Sequence, residues 1–502
     1  MSMKVKKETL SICPECLKKG KIKKIKAERI EEKNKVYLVK ECPEHKKFKS
    51  IISDNLNQYK KFQNYWETSS NPFVKDFGLY DGHKSQVVLT NLFVTNRCEL
   101  RCHYCFANSG AEGFVYEPSL EEIKRMMKRA RNIKPVPSKA LQITGGEPSL
   151  REDLVDIIKI AKKLGFTHVQ VNTNSLKISE DPKIAKKWRE AGCNTIYMSF
   201  DGTTKKTNPW IEQNKKAIEN FRKAGIGVVL VPTIINGVND DQLGDIIKFA
   251  AENVDVIRGV NFQPVSFVGR IENLKEKEIA QKRISFSEVH KKIEEQTNGQ
   301  IKVSDWYPPS FINPISDLVE VLKNKPQVRF GCSPNCGSAT YVFVESNKLI
   351  PITRFVDVEG LMKFIREKSK TKGKLKKQRI ILSLLKNLGK FIDKRKMPKG
   401  ISFKKLLLTA ILGGSYNKLG KFHKKTLFIG GMWFQDPWNL DFQRLERCVI
   451  HYVTEEGIIP FCAYNGLGYG AKIRKKYGIP IKEWERRTGK RLKDDLWVSP
   501  KS

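Results

Sequence analysis

From residue 86 onward, short apolar runs alternate with amphipathic stretches. Runs at 86–94, 140–144, 168–172, 195–200, 227–235 and 256–265 have the length and β-branched content of buried strands. Between them, 119–130, 153–163, 183–191, 210–224 and 242–253 space their apolar residues as helices do. The first of these helices is announced by Ser119-x-x-Glu122, a capping box in which each side chain satisfies a backbone N–H of the opening turn. Repeated βα units with short apolar strands predict an α/β fold, a parallel sheet with helices on its outer face. Six such units make an incomplete (β/α)6 barrel, and chemistry then belongs at the carboxyl ends of the strands.

The first strand leads into TNRCELRCHYCFANSG, which spaces Cys98, Cys102 and Cys105 as CxxxCxxC. Three close thiolates can hold three corners of a [4Fe–4S] cubane and leave its fourth iron open to a reactant. A structural metal site or buried thiols is the plainer alternative. The next strand ends in Gly145-Gly146-Glu147-Pro148, where glycines allow close backbone approach and a carboxylate suits an ammonium group. Later strands end in Asn172-Thr173-Asn174 and Ser199-Phe200-Asp201-Gly202, with Gln263 and Arg270 near the sixth. Each of these polar residues, taken singly, serves equally well to close a βα turn.

Together, CxxxCxxC with Tyr104 before its last cysteine and GGEP one βα unit later resemble the radical S-adenosylmethionine (SAM) superfamily. The resemblance implies a partial radical SAM (β/α)6 barrel and a catalytic [4Fe–4S] cluster on Cys98, Cys102 and Cys105, with SAM chelated at the open iron. It implies SAM contacts from Tyr104, Gly145, Gly146, Glu147, Asn172, Asn174, Ser199 and Asp201. It also implies a reductant such as ferredoxin, and a 5′-deoxyadenosyl radical able to take hydrogen from an unactivated C–H bond.

The other cysteines fall into two further sets. Cys13-Pro14-Glu15-Cys16 and Cys42-Pro43-Glu44-His45 are paired knuckles, a Cys3His set for one zinc or iron ion, structural or electron-relaying. Cys332, Cys336, Cys448 and Cys462 supply four thiolates, enough for an auxiliary [4Fe–4S] cluster with no open iron. Cys193 is left over and reads as a buried thiol. The expected organisation is a metal-binding domain at 1–85, the barrel at 86–310, an auxiliary cluster domain at 311–360 and 426–502, and a basic helical insertion at 361–425.

With 502 residues, 40% of them hydrophobic, the chain can bury a large core and is not globally disordered. Its opening is charged and cysteine-rich, with no secretory apolar stretch, and no run approaches the roughly 20 residues a bilayer span requires. Eleven cysteines in metal-type spacings, without a leader, point to the reducing cytosol. The net charge of +39 is uneven: residues 361–425 hold 21 Lys and Arg against Glu367 and Asp393, a net of +19. Within them Ile381, Leu384, Leu385, Leu388, Phe391 and Ile392 share a helical face, and Phe403 opens a second apolar-basic stretch. Such helices suit an anionic membrane surface. They also suit a solvated lysine-rich face packed on the barrel, or nucleic acid, although the aromatics of a base-stacking platform are missing and no nucleic acid is expected.

The CPEC…CPEH opening, the cysteine loop, VPTIINGVND, VNFQPVSFVGR and FQRLERCVIHYVTEEGIIPFCAYN resemble one archaeal-type group over nearly the whole chain. That group holds tetraether lipid synthases and proteins described as radical methylases of 7,8-dihydro-6-hydroxymethylpterin in methanopterin biosynthesis. The basic amphipathic insertion favours the lipid reading: C–C joining of terminal methyl carbons of archaeal diether phospholipids by a cytoplasmic enzyme peripheral to the inner membrane surface. The pterin alternative calls for a small polar pocket with stacking aromatics, and 306–309 or Met432-Trp433-Phe434 would line either one. A third possibility is an iron–sulfur or nucleic-acid-binding protein without SAM chemistry.

Overall fold

In the computed structural model, residues 7–66, 83–110, 112–271, 274–346, 348–412 and 425–496 are described. Residues 1–6 and 67–82 of the expected N-terminal domain, 413–424 of the expected insertion and the end of the chain from 497 lie outside them.

Four strands, β1 (Lys7–Ile12), β2 (Lys24–Glu32), β3 (Lys35–Glu41) and β4 (Lys47–Ser53), form an antiparallel sheet in chain order. Alternate residues such as Val36 and Leu38 are buried while their neighbours face out, the mark of a sheet with one packed face. Next come β5 (Leu89–Phe93) and a short β6 (Phe114–Val115). The parallel set continues with β7 (Ala140–Thr144), β8 (His168–Thr173), β9 (Thr195–Ser199) and β10 (Gly227–Val231), then, after a two-residue β11 (Thr233–Ile234), β12 (Ile257–Pro264). Strands β5, β7, β8, β9, β10 and β12 pair side by side, all parallel, as the six-unit barrel requires. Between β5 and β7 the helix Leu120–Arg131 starts at Ser119 with both capping-box hydrogen bonds formed.

Strand alternation divides the sheet into two faces. Leu92, Leu141, Ile143, Val169, Val171, Ile196, Met198, Val228 and Leu230 pack against the helices in one continuous core. Cys193 is fully buried there, the inert thiol expected. The intervening residues, Asn91, Gln142, Gln170, Asn172 and Ser199 among them, occupy the concave face.

Beyond residue 311 the described strands, the last excepted, add to the same sheet. Strands β13 (Gly337–Glu345), β14 (Lys348–Pro351) and β15 (Thr426–Met432) extend the sheet past β12. Strands β16 (Ile450–Val453) and β17 (Ile458–Pro460) extend the opposite edge, β16 parallel to β5. A last strand, β18 (Ile479–Pro480), pairs with β6. The four-stranded N-terminal sheet is fastened to the same C-terminal region. Thr9 donates to Asp441 at 2.8 Å, Ser11 to the Leu440 carbonyl at 2.5 Å and Lys40 to the Pro437 carbonyl at 2.7 Å.

The basic insertion differs from its expected form. Its helix Lys376–Asn387 turns Ile380 and Leu384 inward, followed at the next step of four by Leu388 just past its end, and the three join Leu318, Phe343, Phe355, Leu361 and Ile365 in one core. Leu385, expected on the shared face, is 45% exposed, and Leu382 is 67% exposed. Most of the stripe that would have lain on a membrane is therefore spent on packing, and no helix among the described residues is long and apolar enough to cross one.

Candidate active site

The loop between β5 and β6 carries Cys98, Cys102 and Cys105, all partly exposed, onto the wall of a cavity of about 240 Å³. Gly145, Gly146, Glu147, Asn172, Asn174, Ser199, Asp201 and Tyr104 line the same cavity, so the expected residues converge at the carboxyl ends of the strands. The GGE turn is stapled to the cysteine loop through backbone: Gly146 N donates to the Thr95 carbonyl at 2.7 Å and Glu147 N to the Arg97 carbonyl at 2.8 Å. A β-carbon at either glycine would collide with those carbonyls, which is why both positions are glycine.

Glu147 holds the turn rather than presenting a free carboxylate. It is 1% exposed, and accepts from Ser149 N (2.9 Å), Thr173 Oγ1 (2.8 Å) and Asn174 N (2.9 Å). Three of about four lone-pair sites are thus used by the protein itself. Tyr104 donates to Asp201 Oδ2, and Asp201 Oδ1 accepts from Thr233 N at 2.7 Å, tying the cysteine loop to the end of β9 and the start of β11. Burial raises the Asp201 carboxyl to about 6. Burial, reinforced by the Asp201 charge, likewise pushes the Cys102 thiol up to about 12, so the thiolates that ligation requires need compensating positive charge.

Arg270 acts differently from a SAM ligand. Its guanidinium donates to the carbonyls of Cys102 and Ser109, each at 2.7 Å, and to Asn108 Oδ1 at 3.2 Å. Its own N–H donates to the Cys105 carbonyl at 3.0 Å. The side chain is a clamp across the cysteine loop. No motif announced this role, because it depends on carbonyls some 160 residues away in sequence.

A second chamber of about 120 Å³ lies inside the barrel, sharing Phe106, Thr144, Asn172, Gln263, Phe434 and Phe461 with the first. Met432 and Phe434 reach it, whereas Trp306 and Trp433 are buried in the core. Phe434, one of the expected lining residues, stacks on Phe461 with ring centres 3.7 Å apart, and Phe461 is a partner the sequence did not single out.

The two accessory cysteine sets are also assembled. The donor atoms of Cys13, Cys16, Cys42 and His45 all lie within 4.8 Å of one another, as a single tetrahedral ion requires. Their surroundings include Ile235, Val265 and Phe267 of the barrel, with Tyr104 at the margin. Burial first, and then the charge of neighbouring cysteines of the second set, pushes the thiols of Cys332, Cys448 and Cys462 up. Gln435, on the cavity wall, donates its N–H to Cys462 Sγ at 3.3 Å, so this group adjoins the cavity.

Comparison with known proteins decides between the readings of this site. Residues 92–250 match the radical SAM superfamily model, and residues 5–54 match that of the HMPTM N-terminal zinc ribbon domain. The 7,8-dihydro-6-hydroxymethylpterin dimethyltransferase of Methanocaldococcus jannaschii is 44% identical over 506 aligned residues, 96% of this chain and 97% of that protein. The chain belongs to the radical SAM superfamily, in the family of that dimethyltransferase. A GTP 3′,8-cyclase of Limosilactobacillus fermentum is 30% identical over 201 residues, 37% of this chain and 58% of the cyclase. Among solved structures, methylornithine synthase is 19% identical over 39% of this chain and 60% of its own, with a TM-score of 0.31, too low to add to the argument.

As a radical SAM protein the chain uses a [4Fe–4S] cluster and SAM, and needs a reductant. The donor set fits them: three thiols on one loop facing a cavity, with a glycine turn on the same wall. The N-terminal knuckles are a metal site of the zinc-ribbon type. The expectation of lipid-chain coupling is overturned. The relative that matches end to end is a pterin dimethyltransferase, and the insertion that had favoured a lipid is largely packed against the protein.

Proposed function

We propose that this protein methylates 7,8-dihydro-6-hydroxymethylpterin by radical SAM chemistry. The observation that carries this reading is the 44% identity, from end to end, to a dimethyltransferase of that substrate. The cavities agree in character. The inner chamber offers amide and hydroxyl side chains with aromatic walls, Phe106, Phe434, Tyr452 and Phe461, in place of an apolar tunnel.

In this reading Cys98, Cys102 and Cys105 ligate the cluster, and Tyr104, Gly145, Gly146, Asn172, Asn174, Ser199 and Asp201 shape the SAM side of the cavity. When bound, the cluster and SAM supply a carbon-centred radical able to abstract hydrogen. The protein's residues do the positioning. Arg270 fixes the cysteine loop, Glu147 fixes the glycine turn, and the Tyr104–Asp201 pair ties both to the strand ends. The aromatic wall excludes water and stray hydrogen donors. Cys332, Cys336, Cys448 and Cys462 hold an auxiliary [4Fe–4S] cluster beside that wall, and Cys13, Cys16, Cys42 and His45 hold a structural zinc.

Each methylation replaces one pterin C–H by C–CH3. The test is an anaerobic reaction of reconstituted protein with SAM, a strong reductant and the dihydropterin, followed by mass spectrometry. Methylated pterin is the expected product, and methyl-labelled SAM tells whether the carbon comes from SAM or from an added folate-like one-carbon carrier. SAM cleavage with the pterin unchanged, whether or not the carrier is supplied, would sink the proposal.

A further inference from the structure

The concave face of the sheet is unusual in one row. The interior of a closed βα barrel is normally filled by branched apolar side chains. Here the strand register aligns Tyr452 on β16, Asn91 on β5, Gln142 on β7 and Gln170 on β8 side by side. The two glutamines satisfy each other, Gln170 Nε2 donating to Gln142 Oε1, and Gln170 Oε1 lies 3.1 Å from His168 Nε2. Asn91 has no such arrangement. It is 0% exposed, it lines the inner chamber, and both its Oδ1 and its Nδ2 lack a hydrogen-bond partner among the described residues.

A buried carboxamide with both ends unpaired is costly, and replacement by an apolar group of similar size relieves the cost. Such a group is explained when a ligand pairs with it. The chamber that Asn91 faces is of the order of ten waters in volume. It opens onto the cysteine-lined cavity through shared wall residues and is flanked by flat aromatic rings. An asparagine side chain offers one acceptor and one donor in a plane, the complement of a cyclic amide whose ring N–H and carbonyl lie side by side.

We propose that Asn91 is a specificity-determining residue that reads the lactam edge of a flat heterocyclic substrate held in the inner chamber. Its carbonyl accepts from the ring N–H, and its amino group donates to the ring carbonyl. The proposal rests on the pterin reading above, since the 4-oxo pyrimidine ring of a pterin presents this edge. Removing both hydrogen bonds weakens binding by about tenfold to a hundredfold. The protein without substrate gains or keeps stability, because an unpaired buried amide is removed with them.

The decisive experiment is anaerobic equilibrium dialysis of the reconstituted full chain against 7,8-dihydro-6-hydroxymethylpterin in the presence of SAM. Wild type is compared with Asn91→Leu, and with Asn91→Ser in case leucine does not fold. The expected result is pterin affinity reduced tenfold or more in both variants, SAM affinity unchanged, and for Asn91→Leu a melting temperature no lower than that of wild type. Unchanged pterin affinity in a folded variant overturns the role of Asn91 and leaves the methyltransferase reading standing. A lowered melting temperature with SAM and pterin affinities falling together overturns it as well, by making Asn91 a structural residue. Wild-type protein that binds no pterin at all brings down both.

Discussion

The ribbon site and the cysteine loop employ the same side chain to opposite ends. At the ribbon, Cys13, Cys16 and Cys42 are buried, His45 completes the set, and all four donor atoms crowd within 4.8 Å. A metal held there has no vacant position and serves as a fastener. At the loop, Cys98, Cys102 and Cys105 remain partly exposed and line a cavity together with the glycine turn. The loop is held open from outside, by Arg270 on its carbonyls, by the GGE staple and by Tyr104 on Asp201. Stability is thus supplied by the donors themselves in one site and by their neighbours in the other.

That contrast is open to direct attack. The largest effect is expected from Cys102→Ser, which removes one of three ligands. SAM cleavage falls below detection and cluster absorbance drops, while thermal unfolding is little changed; an active Cys102→Ser protein would break the comparison outright. Cys42→Ser, or chelation of the ribbon metal, does the reverse. Destabilisation exceeds about 4 kcal/mol, the exceptional range that loss of a metal can reach, with the barrel cluster still assembling; calorimetry and metal analysis read this. Arg270→Gln is intermediate. It leaves the ligands in place but loosens the loop, so cluster affinity or SAM cleavage falls by about 10- to 100-fold, the range found for groups that orient metal ligands, and full activity in this variant would mean that the clamp is idle. Leu382→Lys, on the exposed side of the basic helix, is the smallest. Neither site responds, and stability stays within about 0.5 kcal/mol in urea titration.

Local patterns made much of this legible from sequence. Five of the barrel strands after the cysteine loop fall where apolar runs placed them, because each is short, buried on both faces and bounded by amphipathic helices. The ribbon's four ligands were readable because each knuckle is contiguous. What escaped was set by distant partners. The periodicity at 381–392 gave an apolar stripe but not what covers it, and the structure shows Leu384 and Leu388 inside with Leu385 left out. Glu147 read as a ligand for an ammonium group, and the motif did not show that Thr173 and Asn174 also hold its carboxylate. Asn91, inside the run 86–94, was not singled out at all. Its meaning depends on the register that places it beside Gln142 and Tyr452.

The pairing of β5 with β16 also has a consequence during synthesis. Leu89 meets Ile450 across the sheet, about 360 residues later in the chain. At ribosomal elongation rates of about 5–20 residues per second, β5 waits between roughly 20 and 70 seconds for its edge partner. Throughout that interval the nascent barrel exposes an unpaired strand edge, the kind of surface that recruits other chains. Aggregation during expression is therefore expected to fall once β16 has been made, and a chain truncated before β16 should aggregate more than the full chain.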